Sequence, residues 1–108
     1  MSLVCRRVRL GRLSDLTTGL HRFDVDGRRV VVVGLGEELV ALDDTCSHEN
    51  ASLAEEGEVD PDAREIECCR HGARFSLDDG AATSLPATTG LRTYPIEAVG
   101  EDVFIALT

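Results

Sequence analysis

Apolar residues in this chain come in short runs, none longer than five, broken by Gly, Pro and charged residues, and no stretch keeps a 3.6-residue period for three turns. Residues 20–25 and 28–33 flank Asp26-Gly27, a dipeptide whose tolerance of positive φ predicts a tight two-residue hairpin. The second arm contains four consecutive valines, Val30, Val31, Val32 and Val33, which predicts a strand buried on both faces. Further strands are predicted over 3–9, 38–42, 65–68, 74–77, 92–99 and 103–107, with turns at Gly34-Leu35-Gly36, Asp78-Asp79-Gly80 and 100–102. Residues 51–56 are helix-prone but too short and acidic for more than a turn. Gly57, Asp60 and Pro61 mark a loop, and 81–90, with Pro86 and Gly90, reads as an extended, turn-rich segment that could cover something beneath it. The pattern predicts an all-β fold, an antiparallel sandwich or open barrel.

At 108 residues the chain makes one domain, 1–108, able to bury roughly two-thirds of its unfolded surface. Trp is absent and aromatics are 4%, so the core must be built from Val, Leu, Ile and Ala. The net charge of −9 repels phosphates and argues against a nucleic-acid or anionic-membrane partner. Twelve acids and a single base, Arg64, lie between residues 37 and 67, whereas residues 1–36 carry three acids and seven bases. That block is either a solvated surface or a docking face for a basic partner. No apolar run approaches the roughly 18 residues that span a bilayer. The arginines at 6, 7 and 9 interrupt any signal-peptide core, so a cytoplasmic location is expected. In that compartment four cysteines serve as metal ligands or thiols rather than disulfides. Asn50-Ala51-Ser52 then matches a glycosylation acceptor by chance.

The chemistry is concentrated in two boxes, Cys46-Ser47-His48 and Cys68-Cys69-Arg70-His71-Gly72, each at the end of a predicted strand. Two such loops side by side offer two sulfur and two nitrogen ligands. They could hold one tetrahedral zinc, a [2Fe-2S] cluster with two Cys on one iron and two His on the other, or a Cys–His nucleophile and base. The last needs an oxyanion hole and an orienting acid, of which there is no sign. His21 has no Cys or His near it in sequence and reads as an ordinary packed or surface histidine, and Cys5 as a small packed side chain.

Cys-x-His followed by Cys-x-x-His-Gly-x-x-Phe resembles the Rieske [2Fe-2S] motif, with Cys46, His48, Cys68, His71, Gly72 and Phe75 falling on it. The resemblance runs over roughly 3–107 and includes 43–49, 57–59, 84–88 and 94–96, which read like the small soluble Rieske ferredoxins. It implies a small two-loop cluster-binding part within about 44–77. There Cys46 and Cys68 would bind an inner iron, and His48 and His71 an outer iron at the surface. It further implies a backbone turn at Gly72 and a third loop, around Leu85-Pro86-Ala87, packed over the cluster. High-potential members carry an extra Cys in each box, joined as a disulfide; here the positions are Ala51 and Arg70. Those members also place hydroxyl donors where this chain has Ala73 and Phe75, so a low reduction potential is expected. Cys69 adjoins a ligand but reads as a thiol outside the cluster.

A cluster whose irons are filled by protein and sulfide leaves no open position for substrate, so the resemblance implies one-electron transfer rather than catalysis. The mononuclear iron of an oxygenase needs two further His and a carboxylate, and this chain has three His in all. The implied role is a ferredoxin passing electrons from a flavin-dependent reductase to a terminal non-haem iron oxygenase that acts on aromatic rings. Electron supply to iron-sulfur cluster assembly, or a zinc-stabilised interaction module, are the alternatives.

Overall fold

The Asp26-Gly27 hairpin forms as its chemistry demands, with φ of 50° and 79° at the two residues. It joins β2 (Thr18–Val25) to β3 (Arg28–Leu35) with Val25 opposite Arg28. These are features of a computed structural model that describes residues 6–36, 38–44, 52–68, 73–84 and 90–107. Strand β4 (Leu39–Asp43) pairs with the free edge of β3, and β9 (Thr93–Tyr94) with β4, to complete a four-stranded sheet. A three-stranded sheet has the order β1 (Arg6–Arg12), β11 (Asp102–Leu107), β10 (Ile96–Val99). The third sheet is a four-stranded meander of β5 (Gly57–Asp60), β6 (Glu65–Cys68), β7 (Arg74–Ser76) and β8 (Ala82–Ser84). The strand pairings are antiparallel in all three sheets. The two helices among the described residues, α1 (Leu13–Leu16) and α2 (Leu53–Glu56), are single turns. The expected all-β antiparallel architecture is the one formed.

Strand β3 divides the interior. Side chains alternate across a strand, so Val31 and Val33 join Leu42, Leu53, Ile66, Cys68, Ala73, Phe75, Leu77 and Leu91 in one core. Val30 and Val32 join Val25, Ala41, Tyr94 and Ile105 in the other. All four valines are fully buried, which is why the run does not alternate with polar residues. One core supports the meander that carries the second box; the other holds the remaining two sheets together.

Several boundaries differ from the sequence-based expectation, and four of them for a clear tertiary reason. The first strand, expected to end at 9, continues to Arg12, because pairing with β11 carries it on to Asp102; residues 3–5 lie outside those described. Gly57–Asp60 is a strand, not a loop: Val59 pairs with Ile66 and packs against the first core, a partnership invisible in local propensity. The single strand expected over 92–99 is split at Pro95, which has no N–H to donate; Tyr94 pairs with Ala41 and Ile96 with Ile105, so the chain changes sheets there. The covering segment 81–90 begins with β8. Helix α1 is fixed by contact rather than propensity. A Cβ on Gly34 would lie 2.3 Å from the Leu16 carbonyl oxygen, so only glycine lets β3 pass beneath the turn.

Candidate metal centre

The second box grows from the β6–β7 hairpin. Cys68 closes β6, is 1% exposed, and donates its backbone N–H to the carbonyl of Ala73 at 2.8 Å. The reversal through residues 69–72 therefore starts and ends at fixed points. Around Cys68 the core presents Leu53, Ile66, Ala73 and Phe75, all fully buried and none bearing a hydroxyl. Of the four sequence-proposed ligands only Cys68 lies within the described residues; Cys46, His48 and His71 lie outside them, as do Cys5, Cys69, Arg70, Gly72 and the Leu85-Pro86-Ala87 stretch.

The first box is anchored by a residue that motif reading passed over. Asp44, the last described residue before the box, is fully buried. Its carboxylate accepts from the Ser52 hydroxyl at 2.6 Å and from the Ala54 N–H at 2.8 Å, while its carbonyl accepts from the Leu53 N–H at 2.7 Å. The residues before and after 45–51 are thus joined side by side. A helix's first N–H groups lack internal partners, and here a distant carboxylate satisfies one. Ser52-x-x-Glu55 has the spacing of a local capping box, yet Ser52 makes no cap bond because its hydroxyl is committed to Asp44. That commitment is also the structural role of the serine in the glycosylation-like tripeptide. A buried acid two residues before the first Cys, followed by Ser eight residues on, is the signal that could have revealed the pair.

Beside it, Asp43 accepts from the Tyr94 hydroxyl at 2.6 Å and the Arg92 N–H at 3.2 Å, which ties β4 to β9 at the base of the first box. Burial, then the bond to Asp43, pushes the Tyr94 phenol above its ordinary range. Leu53 packs in the same core as Cys68, so the segment that follows the first box and the start of the second share one wall. The segment 81–90 also has a fixed base. The Leu91 N–H donates to the Gly80 carbonyl at 2.7 Å, and Gly80 adopts φ +77° with Leu91 oxygen 2.1 Å from where a Cβ would stand. The His21 Nε2 lies 2.8 Å from the Thr18 carbonyl, three residues before it.

The outer face of the meander is acidic. Glu58 lies directly across from Glu67, while Arg74 pairs with Asp60 at 2.9 Å and Glu65 at 3.0 Å. The Ala63 N–H, and then Arg74, hold the Asp60 carboxyl below its ordinary value. Arg64 is occupied by Glu38 and Asp78. Glu58 and Asp62 are exposed on the same hairpin.

A family model described as "Rieske [2Fe-2S] domain" matches residues 6–95. The 3-phenylpropionate/cinnamic acid dioxygenase ferredoxin subunit of Escherichia coli (strain K12) is 45% identical over 78 residues, 72% of each chain. Among solved structures, the ferredoxin of carbazole 1,9a-dioxygenase from Nocardioides aromaticivorans IC177 superposes with a TM-score of 0.88 at 36% identity, covering 94% of this chain and 98% of that one. A ferredoxin solved in the "complex of reduced oxygenase and oxidized ferredoxin in carbazole 1,9a-dioxygenase" superposes with a TM-score of 0.83 at 30% identity, covering 93% and 92%. The boxes, the meander that presents Cys68 and the match over 6–95 lead to one conclusion: this chain belongs to the Rieske [2Fe-2S] domain family.

Proposed function

We propose that this chain carries single electrons on one Rieske-type [2Fe-2S] cluster, from a flavin-dependent reductase to a terminal non-haem iron oxygenase that acts on an aromatic ring. The donor set fits the group. Two thiols and two imidazoles complete the shell of two irons bridged by sulfide, and one of those thiols, Cys68, is placed at a strand end against an apolar wall. Cys46 and Cys68 would hold the inner iron, and His48 and His71 the outer one. When bound, the cluster supplies a one-electron couple whose neutral imidazole ligands raise its potential above that of an all-Cys cluster.

The chain's own residues do the rest. Leu53, Ile66, Ala73 and Phe75 keep water from the Cys68 side, the Cys68–Ala73 hydrogen bond fixes the hairpin, and Asp44 joins the two ends of the first loop. No bond-making chemistry is assigned to the protein, which is an electron-transfer component. The observation that carries this reading is the family match together with relatives that are dioxygenase ferredoxin subunits, one structural relative having been solved with its oxygenase. The acidic meander would meet a basic surface on the partner. No helix among the described residues is long and apolar enough to cross a membrane, and a cytoplasmic location is part of the proposal.

The purified protein should be red-brown, with iron and acid-labile sulfide in equal amounts, and should support product formation when combined with a flavin reductase and an aromatic-ring oxygenase. A colourless protein that contains zinc overturns the proposal.

A further inference from the structure

Strand β10 is an edge of the three-stranded sheet: it pairs with β11 on one side, and no strand among the described residues pairs with the other. In an antiparallel pair, opposite residues alternate between those that exchange hydrogen bonds and those that do not. Ala106 donates its N–H to the Pro95 carbonyl at 2.9 Å, so the exchanging pairs that follow are Glu97 with Phe104 and Val99 with Asp102. The N–H and C=O groups of Ile96 and Ala98 therefore point to the open edge. Proteins commonly blunt such edges with charge. Strand β1, the opposite edge of this sheet, does so with exposed Arg7, Arg9 and Arg12. Strand β10 instead leaves Ala98 and Val99 exposed, and Val99, at 54%, is the one large apolar side chain exposed among the described residues.

The open edge runs between two cavities. One, of about 400 Å³, lies over Pro95, Glu97, Phe104 and Ala106 on the outer face, where Arg7 stands 5.0 Å above the Phe104 ring and pairs with Glu97. The other, of about 290 Å³, separates Ile96 and Ala98 from Leu13, Glu38 and Leu39. It lies on the inner face, since Ile96 and Leu39 pack against the second core. Side chains of a strand alternate between faces. An extended segment hydrogen-bonded to Ile96 and Ala98 would thus send successive side chains toward one cavity and then the other, which is how added strands are recognised.

We propose that the open edge of β10 takes an extended segment of another protein as an added strand, with apolar side chains for the two cavities and a Lys or Arg beside them. The basic residue follows from charge. Residues 93–108 carry Glu97, Glu101 and Asp102 and no Lys or Arg, and Glu38 stands at the rim of the smaller cavity. A second copy of the chain fits badly: two β10 edges paired about a two-fold axis would bring the Glu97 and Glu101 of both chains together, each chain carrying a net charge of −9. Ile96 packs on the core that does not contain Cys68, so binding at this edge is independent of the proposed cluster.

A displayed library of random linear peptides is the probe. Selection on the full-length protein should enrich apolar sequences with a Lys or Arg beside them. A synthetic copy of an enriched peptide should slow amide exchange at Ile96 and Ala98, read by NMR, and leave β1 unchanged. Ala98→Pro removes one N–H from the open edge while sparing the bonds to β11, and should weaken the peptide by about tenfold, the scale of one lost hydrogen bond. Val99→Lys, at an exposed position, adds a charge that repels the basic flank and should weaken the peptide too; it decides the matter if Ala98→Pro does not fold. No enriched peptide, enrichment of acidic ones, protection at residues other than 96 and 98, or full affinity in either folded variant overturns the proposal. Exchange at Ile96 and Ala98 that slows with protein concentration alone assigns the edge to a second copy and overturns it as well.

Discussion

Arg64 grips Glu38 with two parallel hydrogen bonds, Nη1 to Oε1 at 2.9 Å and Nη2 to Oε2 at 2.8 Å, while its Nε donates to Asp78 at 2.9 Å. The sole base of the acidic stretch thus links the approach to β4, the β5–β6 turn and the end of β7, fastening the meander to the body of the fold. Arg64, chiefly through that hydrogen bond, holds Glu38 below its ordinary 4.5. A carboxylate lowered in the folded state stabilises above its unfolded pKa, and the contribution disappears as pH falls through the lower folded value. Arg64→Ala should therefore lower the melting temperature at pH 7 more than at pH 3. It should also speed amide exchange in β5, β6 and β7 ahead of β3. Equal losses at the two pH values, or uniform exchange, would show that the clamp contributes nothing local.

The potential should be low. Ala73 and Phe75 are fully buried beside Cys68 and bring no hydroxyl to the sulfur, and removing donors to sulfur makes added negative charge less welcome. A redox titration should place the midpoint near the bottom of the family range of about −150 to +300 mV. Ala73→Ser, which restores a donor in a space that must accept one extra atom, should raise it. A wild-type midpoint well above 0 mV would contradict the argument.

The strand frame was legible because its signals are local: Asp26-Gly27 admits one kind of turn, and four adjacent valines need two buried faces. The family was legible because metal chemistry restricts residue type and spacing in the two Cys–His boxes. What escaped was non-local. Gly57–Asp60 becomes a strand because Ile66 and Glu67 lie opposite Val59 and Glu58. Pro95 divides one predicted strand between two sheets. Asp44 gains its role from partners eight and ten positions away. Each depends on a pairing that residue type and local propensity do not specify.

Electron transfer to a partner should slow as salt is added. Glu58 and Glu67 face each other across β5 and β6, and Arg74, opposite Glu67 on β7, is shared with Asp60 and Glu65, so a basic partner would relieve a like-charge contact. Attraction between exposed charges weakens as the screening length falls from about 10 Å at 0.1 M to about 3 Å at 1 M salt, and its main effect is on association rate. Stopped-flow reduction of an oxygenase across that range should show a second-order rate that declines, and a smaller decline for Glu58→Gln/Glu67→Gln. A rate indifferent to salt would remove the acidic face from the docking model.

The adjacent cysteines should separate cleanly. Cys68 is placed by β6 and held in the apolar wall, so Cys68→Ser should yield protein with little or no chromophore. Cys69, the next residue, is proposed to lie outside the ligand set, and Cys69→Ser should keep the full absorption spectrum. Iron analysis of the two purified variants checks both; loss of iron from Cys69→Ser would reassign the ligand.

Leu53 and Ile105 offer a test of the division that β3 makes. Each is fully buried, Leu53 in the core shared with Cys68 and Ile105 in the core between the other two sheets. Truncating either to alanine removes comparable apolar volume and should cost about 2–5 kcal/mol of global stability. The consequences for the centre should differ. Leu53 also donates its N–H to Asp44 and stands against the second box, so Leu53→Ala opens a cavity beside the proposed inner-iron ligand and should accelerate bleaching well below the melting temperature. Ile105→Ala leaves that wall intact and should bleach only as the protein unfolds. Denaturant melts followed in parallel by far-ultraviolet circular dichroism and visible absorption distinguish the two: separated transitions for Leu53→Ala, coincident ones for Ile105→Ala. Coincident transitions in both would mean that the two cores act as a single cooperative unit.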